Sequence, residues 1–251
     1  MRLTNRTVLI TGGGSGIGGG LAKAFHALGN KVIITGRRRQ TLKDFAGSYP
    51  GMDTFTMDVS KESDIESLFK EVSQKYPGLD VLLNNAGVMK WNDFTKSETL
   101  AEGLFEEIDI NLKGPIGMTA AFLPLLMKQK EATIVNLSSG LAYLPLSPAP
   151  IYCATKAAIH SFSESLRYQL RQSSVGVVEI APPAVKTDLG RGPGVPSTEY
   201  RSISLDSFVK LTMKALASRA TELPIGQAKM LKWGSRFLPS VFFGFLNPAK
   251  R

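Results

Sequence analysis

Three side chains of complementary acid–base character stand close together in this chain. Tyr152 and Lys156 are four residues apart, and Ser139 precedes Tyr152 by 13 positions. A phenol and an ammonium at i and i+4 project from one face of a helix. The phenol's ordinary pKa of ~10 is too high for a good base at neutral pH, and a cation held beside it favours phenolate. A serine hydroxyl can hold a substrate oxygen next to the phenol. Upstream lies the run Thr11-Gly12-Gly13-Gly14-Ser15-Gly16-Ile17-Gly18. Gly12, Gly16 and Gly18 follow an apolar strand pattern and open a helical one. Glycines there let the backbone turn sharply and approach a pyrophosphate, which the helix N-terminus stabilises. Proton transfer beside a dinucleotide means carbonyl–alcohol redox chemistry.

The end of the second strand bears on which dinucleotide. An acid there would bond the adenosine ribose of NAD. This chain has Thr35-Gly36-Arg37-Arg38-Arg39 instead. Guanidinium forks at Arg37 and Arg38 suit a 2′-phosphate, so NADP(H) is expected ahead of NAD(H). Asp58-Val59 ends the third strand, a place for contacts to the adenine. Asn84-Asn85-Ala86-Gly87 ends the fourth, where amides can brace neighbouring strand ends and small residues leave room for a cofactor. Asn111 lies inside a helical stretch, where asparagine is a poor helix former. A functional asparagine there would divert the backbone and hold a water.

The elements that must position these groups alternate in type. Unbroken apolar runs at Val8–Ile10, Val32–Thr35, Asp53–Met57, Leu79–Leu83, Thr133–Leu137 and Val175–Ala181 read as buried strands. Helical patterns run from Gly16 to about Leu28, from near Arg38, and over Glu62–Lys75, Ala101–Lys128 and Tyr152–Arg171. Strands of this kind between helices predict a parallel sheet covered on both faces. The expected fold is doubly wound α/β of Rossmann type, as a single domain over residues 1–251. After Thr187, Gly190, Gly192, Pro193, Gly194 and Pro196 predict a loop over about 188–205, placed to act as a substrate lid.

Composition narrows the classes. The chain has 251 residues, 43% hydrophobic, with a net charge of +9. One cysteine, Cys153, excludes an internal disulfide framework and fits a reducing, cytoplasmic setting. With only His26 and His160 beside it, read as surface or packing residues, no metal site is expected. No apolar run is long enough to span a bilayer, and no nucleic-acid motif accompanies the basic charge. The segment 227–251 carries Lys229, Lys232, Arg236, Lys250 and Arg251 with no acid, and Leu231–Leu246 is rich in aromatics. Those aromatics need cover. Packing on the same chain, a homo-oligomer (dimer) interface or peripheral contact with anionic lipid could each supply it.

The linked motifs resemble the short-chain dehydrogenase/reductase family, of the type about 250 residues long, over roughly residues 5 to 190. The resemblance rests on the glycine run, Asn-Asn-Ala-Gly, Asn111, Ser139, Tyr152 and Lys156, in order and spacing. It implies a catalytic tetrad of Asn111, Ser139, Tyr152 and Lys156. It also implies cofactor contacts from Gly12, Ser15, Ile17, Arg37, Asp58, Val59, Asn84, Ala86, Gly87, Lys156, Val185 and Thr187. Two departures stand out: Pro182-Pro183 replaces the family's usual Pro-Gly, and no closing Asp-Gly-Gly is present. The Pro-Pro pair, Met-Lys-Trp-Asn at 89–92 and the aromatic ending are similar to the DltE-type subgroup. The implied activity is NADP(H)-dependent reduction of a carbonyl, or oxidation of an alcohol. Leu141, Tyr143, Leu144, Pro145, Leu146 and Pro148 suggest an apolar or aromatic small-molecule substrate. The rival reading is a nucleotide-binding sensor or scaffold with little turnover, and an intact tetrad weighs against it.

Overall fold

Period-2 alternation inside the apolar runs decides which core each side chain enters. In β1 (Thr7–Thr11), Leu9 joins Ile33, Leu82 and Ile134 on one face of the sheet. Val8 and Ile10 join Val32, Ile34, Val81, Leu83 and Val135 on the other. A strand buried on both faces must be central and covered by helices on each side. A computed structural model of the chain, describing residues 1–96, 103–189 and 202–248, has that architecture. Besides β1, its strands are β2 (Lys31–Gly36), β3 (Asp53–Thr56), β4 (Val81–Asn84), β5 (Ala132–Leu137), β6 (Val175–Ala181) and β7 (Glu222–Pro224). All pairs are parallel, in the order β3-β2-β1-β4-β5-β6-β7. The reversal between β1 and β4 opens the crevice where ligands bind in such sheets.

The helices are α1 (Gly16–Ala27), α2 (Arg39–Gly47), α3 (Glu62–Lys75), α4 (Glu106–Ile108), α5 (Gly114–Leu126), α6 (Pro150–Gln169), α7 (Leu205–Leu216), α8 (Ala228–Phe237) and α9 (Pro239–Leu246). Proline at the first position of α6 fixes the start of the helix that carries Tyr152 and Lys156. The continuous helix expected over Ala101–Lys128 is broken: a π turn at Asp109–Lys113 joins α4 to α5. Residues 101–102 lie outside the described residues. So does most of the expected lid, 190–201, and the basic end at Lys250 and Arg251.

The C-terminal aromatics form a helical hairpin. Gly234 of α8 admits the ring of Phe242 from α9, where a Cβ would come within 2.2 Å of it. Packing on the same chain covers only part of this segment. Leu231 backs onto Gly140 and Leu246 joins the cluster around Tyr152, yet α9 has no buried residue at all.

Candidate active site

The glycine run is shaped by contacts as well as by backbone freedom. Gly12 and Gly16 have φ of +65° and +53°, conformations that favour glycine. A Cβ at Gly18 would lie 2.3 Å from the Gly12 carbonyl oxygen and 2.4 Å from Asn85 Nδ2. Asn85 is the brace: its Nδ2 donates to the Thr11 and Gly12 carbonyls at 2.9 and 3.2 Å. Thr11 Oγ1 in turn accepts from the backbone N–H groups of Asn85 and Ala86, both at 3.0 Å. Ser15 sits at the N-cap of α1, exposed, with no side-chain cap bond, and the helix's first turn holds no acid. Ile17 follows in that turn. An unneutralised helix N-terminus behind a loop in which Gly12 and Gly18 leave no room for a Cβ fits a pyrophosphate.

The other expected cofactor positions lie on several elements. Thr187 faces Gly16, its Cγ2 within 3.7 Å of the space a Cβ would take. Val185 is held in place by a bridge to Ile203. Asp58 accepts from Ser60 N and Oγ at 3.0 and 2.7 Å, while Val59 is buried against Gly114. Arg37 and Arg38 are exposed at the start of α2. Arg37 Nη1 lies 3.4 Å from Glu106 Oε1, whose partner oxygen is held more closely by Lys90 at 2.6 Å. Sequence proximity gives no hint of that acid beside the basic turn. Asn84 turns its amide into the core, donating to Asn136 Oδ1 at 2.9 Å and Thr119 Oγ1 at 3.2 Å.

Asn111, Ser139, Tyr152 and Lys156 come together where β4 and β5 end. Asn111 is completely buried in the π turn. Its Oδ1 accepts from Val88 N at 2.8 Å, and its Nδ2 donates to Val88 O at 2.8 Å and to Thr155 Oγ1 at 3.2 Å. The backbone departs from regular α-helix there. π turns of this kind recur at functional sites. Gly87 makes room for the group: a Cβ there would be 3.2 Å from Asn111 Oδ1 and 3.6 Å from Lys156 Nζ. Lys156 Nζ donates to the Leu137 carbonyl at 2.9 Å and lies 5.6 Å from the centroid of the Tyr152 ring. Ser139 caps a short 3₁₀ turn, Gly140–Ala142, accepting from Leu141 N at 3.1 Å. Pro182 serves this turn through its carbonyl, which accepts from Gly140 N at 2.8 Å.

Burial dominates the electrostatics. It pushes the Tyr152 phenol up to about 12, against a hydrogen bond with Ser139 that pulls it down. The same burial brings the Lys156 ammonium down to about 8. The depression of the phenol expected from Lys156 is therefore not what the protein's own groups produce: desolvation is the largest influence, and the pull downward comes from Ser139. Glu107 is a site neighbour that no motif or spacing marks. It is fully buried, with its carboxyl pushed up by desolvation, and it accepts from Lys90 N at 3.0 Å and Asn92 Nδ2 at 3.4 Å. It thereby holds the segment that carries Met89 and Trp91 over the phenol. Leu146, Ala149, Tyr152 and Cys153 form an apolar cluster completed by Met89, Trp91, Leu141 and Leu246.

His160 is not the plain surface or packing residue its sequence setting predicts. Its Nδ1 lies 2.8 Å from Oε2 of the buried Glu179, which also accepts from Ser138 Oγ. Glu222 is near, taken by Tyr143 Oη at 2.6 Å and by Lys232. Counting histidines and cysteines alone missed that His160, Glu179 and Glu222 bring possible ligand atoms within 4.8 Å of one another. Both carboxylates already have cationic and hydrogen-bonding partners there.

The chain belongs to the short-chain dehydrogenase/reductase family: the model for short chain dehydrogenases matches residues 6–193. It is an oxidoreductase of that family. Over 239 residues, 94% of each chain, it is 44% identical to DltE of Bacillus subtilis, an uncharacterised oxidoreductase. Its fold matches a short-chain dehydrogenase from Burkholderia cenocepacia solved with NADP, at a TM-score of 0.85, 22% identity and coverage of 98% and 99%. It also matches a 3-ketoacyl-(acyl-carrier-protein) reductase from Brucella melitensis solved with NADH, at 0.77, 27% identity and coverage of 88% and 97%.

Proposed function

We propose that this protein is an NADP(H)-dependent carbonyl reductase, running as an alcohol dehydrogenase in reverse, on a small apolar or aromatic substrate. The observation that carries the reading is the convergence of Asn111 and Lys156 on Gly87, with the Tyr152 ring beside Lys156 and its hydroxyl bonded to Ser139, next to an apolar cluster. Gly12, Ser15, Gly16, Ile17, Gly18, Asp58, Val59, Ala86, Gly87, Val185 and Thr187 would hold the dinucleotide, with Arg37 and Arg38 on its 2′-phosphate. Asn84 would contribute through its backbone. When bound, the nicotinamide supplies the hydride in reduction and takes it in oxidation.

The protein's part is protonic and positional. Ser139 orients the substrate carbonyl. Tyr152 donates the proton to the forming alkoxide, or takes it from the alcohol in the reverse direction. A phenol pushed up to about 12 stays protonated at neutral pH, which suits the donor role. Lys156, brought down to about 8, still carries charge at pH 7 and can stabilise the phenolate left behind. Asn111 fixes Val88 and, through the Thr155 hydroxyl, the helix that carries Lys156. A cytoplasmic setting accompanies the single, buried, free thiol of Cys153, and a homodimer accompanies the family resemblance.

The test is NADPH depletion over a panel of ketones, aldehydes and imines. Tyr152→Phe should lower turnover of any substrate found by at least ~100-fold, the scale of a positioned acid–base group. Unchanged turnover in that variant, or no turnover with any carbonyl, would move the assignment to a nucleotide-binding sensor.

A further inference from the structure

The α8–α9 hairpin has two unlike faces. Its inner face lies on the candidate site: Leu231 and Ala228 close on Gly140, and Leu246 packs with Tyr152 and Cys153. Asn247 pins the end, accepting from Ser147 N at 2.6 Å and donating to the Pro145 carbonyl at 3.1 Å. The outer face is apolar. Of fifteen exposed large apolar side chains among the described residues, seven fall between positions 230 and 245: Met230, Trp233, Phe237, Leu238, Val241, Phe243 and Phe245. Such a concentration on one short hairpin is a patch rather than scatter. Trp233 and Phe237 stack with ring centroids 5.5 Å apart while both remain exposed.

Charge selects the occupant. Lys229 and Arg236 flank Trp233 and Phe237 on α8, both exposed, and the sequence holds no acid from Gln227 to its end. Lys232 is the one cation of this helix already used, on Glu222. A second copy docking through the same face would bring further Lys229 and Arg236 side chains and no carboxylate from this segment to pair with them. An anionic lipid surface supplies what is missing: headgroup phosphates for the cations, and an acyl boundary for the rings. Long basic side chains flanking an aromatic stripe have the composition of an interfacial helix. No described helix is long and apolar enough to cross a membrane, so the hairpin lies on the surface. We propose that α8–α9 is a docking surface for an anionic lipid bilayer.

The experiment uses the full-length protein and vesicles of phosphatidylcholine, alone or mixed with phosphatidylglycerol. The expected result is co-sedimentation with the mixed vesicles only, weakened by salt, with a blue shift in emission that Trp233→Phe abolishes. Lys229→Gln combined with Arg236→Gln should lower partitioning about 25-fold, at ~5-fold per cation near the surface. Phe237→Ser combined with Phe245→Ser should also release the protein. All four side chains are exposed, so circular dichroism should show the fold intact. Three results would overturn the proposal: no binding to the mixed vesicles, equal binding to neutral ones, or a dimeric mass that the serine pair converts to monomer.

Discussion

Replacing Asn111 with alanine isolates what the π turn holds in place. The wild-type amide makes two bonds to one residue, accepting from Val88 N and donating to Val88 O, both at 2.8 Å, and a third to Thr155 Oγ1. Thr155 loses little, because its hydroxyl also donates to the Tyr152 carbonyl at 2.8 Å. Val88 loses both partners of its backbone. An orphaned buried polar group costs ~1–3 kcal/mol. Val88 is only half-buried, so water recovers part of one bond, and the expected loss is ~2–4 kcal/mol. That is a large share of a stability of ~5–15 kcal/mol. Urea unfolding of the full-length protein reads it directly, as a lower midpoint at unchanged slope. NADPH affinity should fall in the same variant, because Val88 adjoins Gly87 at the crevice. A stability change below ~0.5 kcal/mol, the size of an ordinary surface substitution, would show that these bonds do not hold the turn.

Three further outcomes follow from particular contacts. Gly18→Ala gains up to ~1 kcal/mol of helix propensity, but its Cβ meets the Gly12 carbonyl at 2.3 Å, so thermal melting should show a net loss of ~1–3 kcal/mol; Gly47→Ala, with nothing within 4 Å, should gain ~0.4–1 kcal/mol, and equal effects would sink the steric argument. Arg37→Ala should weaken NADPH binding ~10-fold, the low end for a charge-assisted bond, with little change for NADH; Glu106→Gln should strengthen NADPH binding by releasing Arg37, and parity of the two nucleotides in the parent protein would refute both. Glu179 raises the His160 pKa above 6.5. Its contribution to stability is therefore complete below pH 6.5 and lost as pH rises through the raised value, so a melting-temperature gap between the parent and His160→Gln that does not shrink across that range contradicts the pairing.

The sheet was legible because central strands bury both faces and so read as unbroken apolar runs, as at Val8–Ile10 and Val32–Ile34. The acid–base group was legible because Tyr152 and Lys156 are one helical turn apart and the glycines have a local reason. β7 escaped notice because it has three residues, Glu222, Leu223 and Pro224, too few to show a period. The Ser138–Glu179–His160 and Tyr143–Glu222–Lys232 bonds escaped because their partners lie 10 to 79 positions apart, and no spacing rule joins them. The height of the Tyr152 pKa was misjudged because proximity of a cation can be read from sequence, whereas the depth of burial comes from the assembled fold. The homodimer expectation, ranked ahead of packing on the same chain and of lipid contact, came from applying the family resemblance to aromatics that need cover, and the basic charge beside them became informative only once α8 placed it.

The π turn has a consequence for phase. On an unbroken α-helix at 3.6 residues per turn, Glu107, Asn111, Met118, Phe122 and Leu125 would form a single stripe. That spacing is why the segment reads as one helix. The π turn takes up one extra residue without a matching advance, holding back about 100° of winding. The stripe is thereby split. Glu107 and Asn111 turn to the segment after β4, while Met118, Phe122 and Leu125 enter the core. Winding the same residues as an unbroken α-helix, with none deleted, would bring both sets onto one heading. The helix would then be more regular, and either the core or the site would lose its contacts.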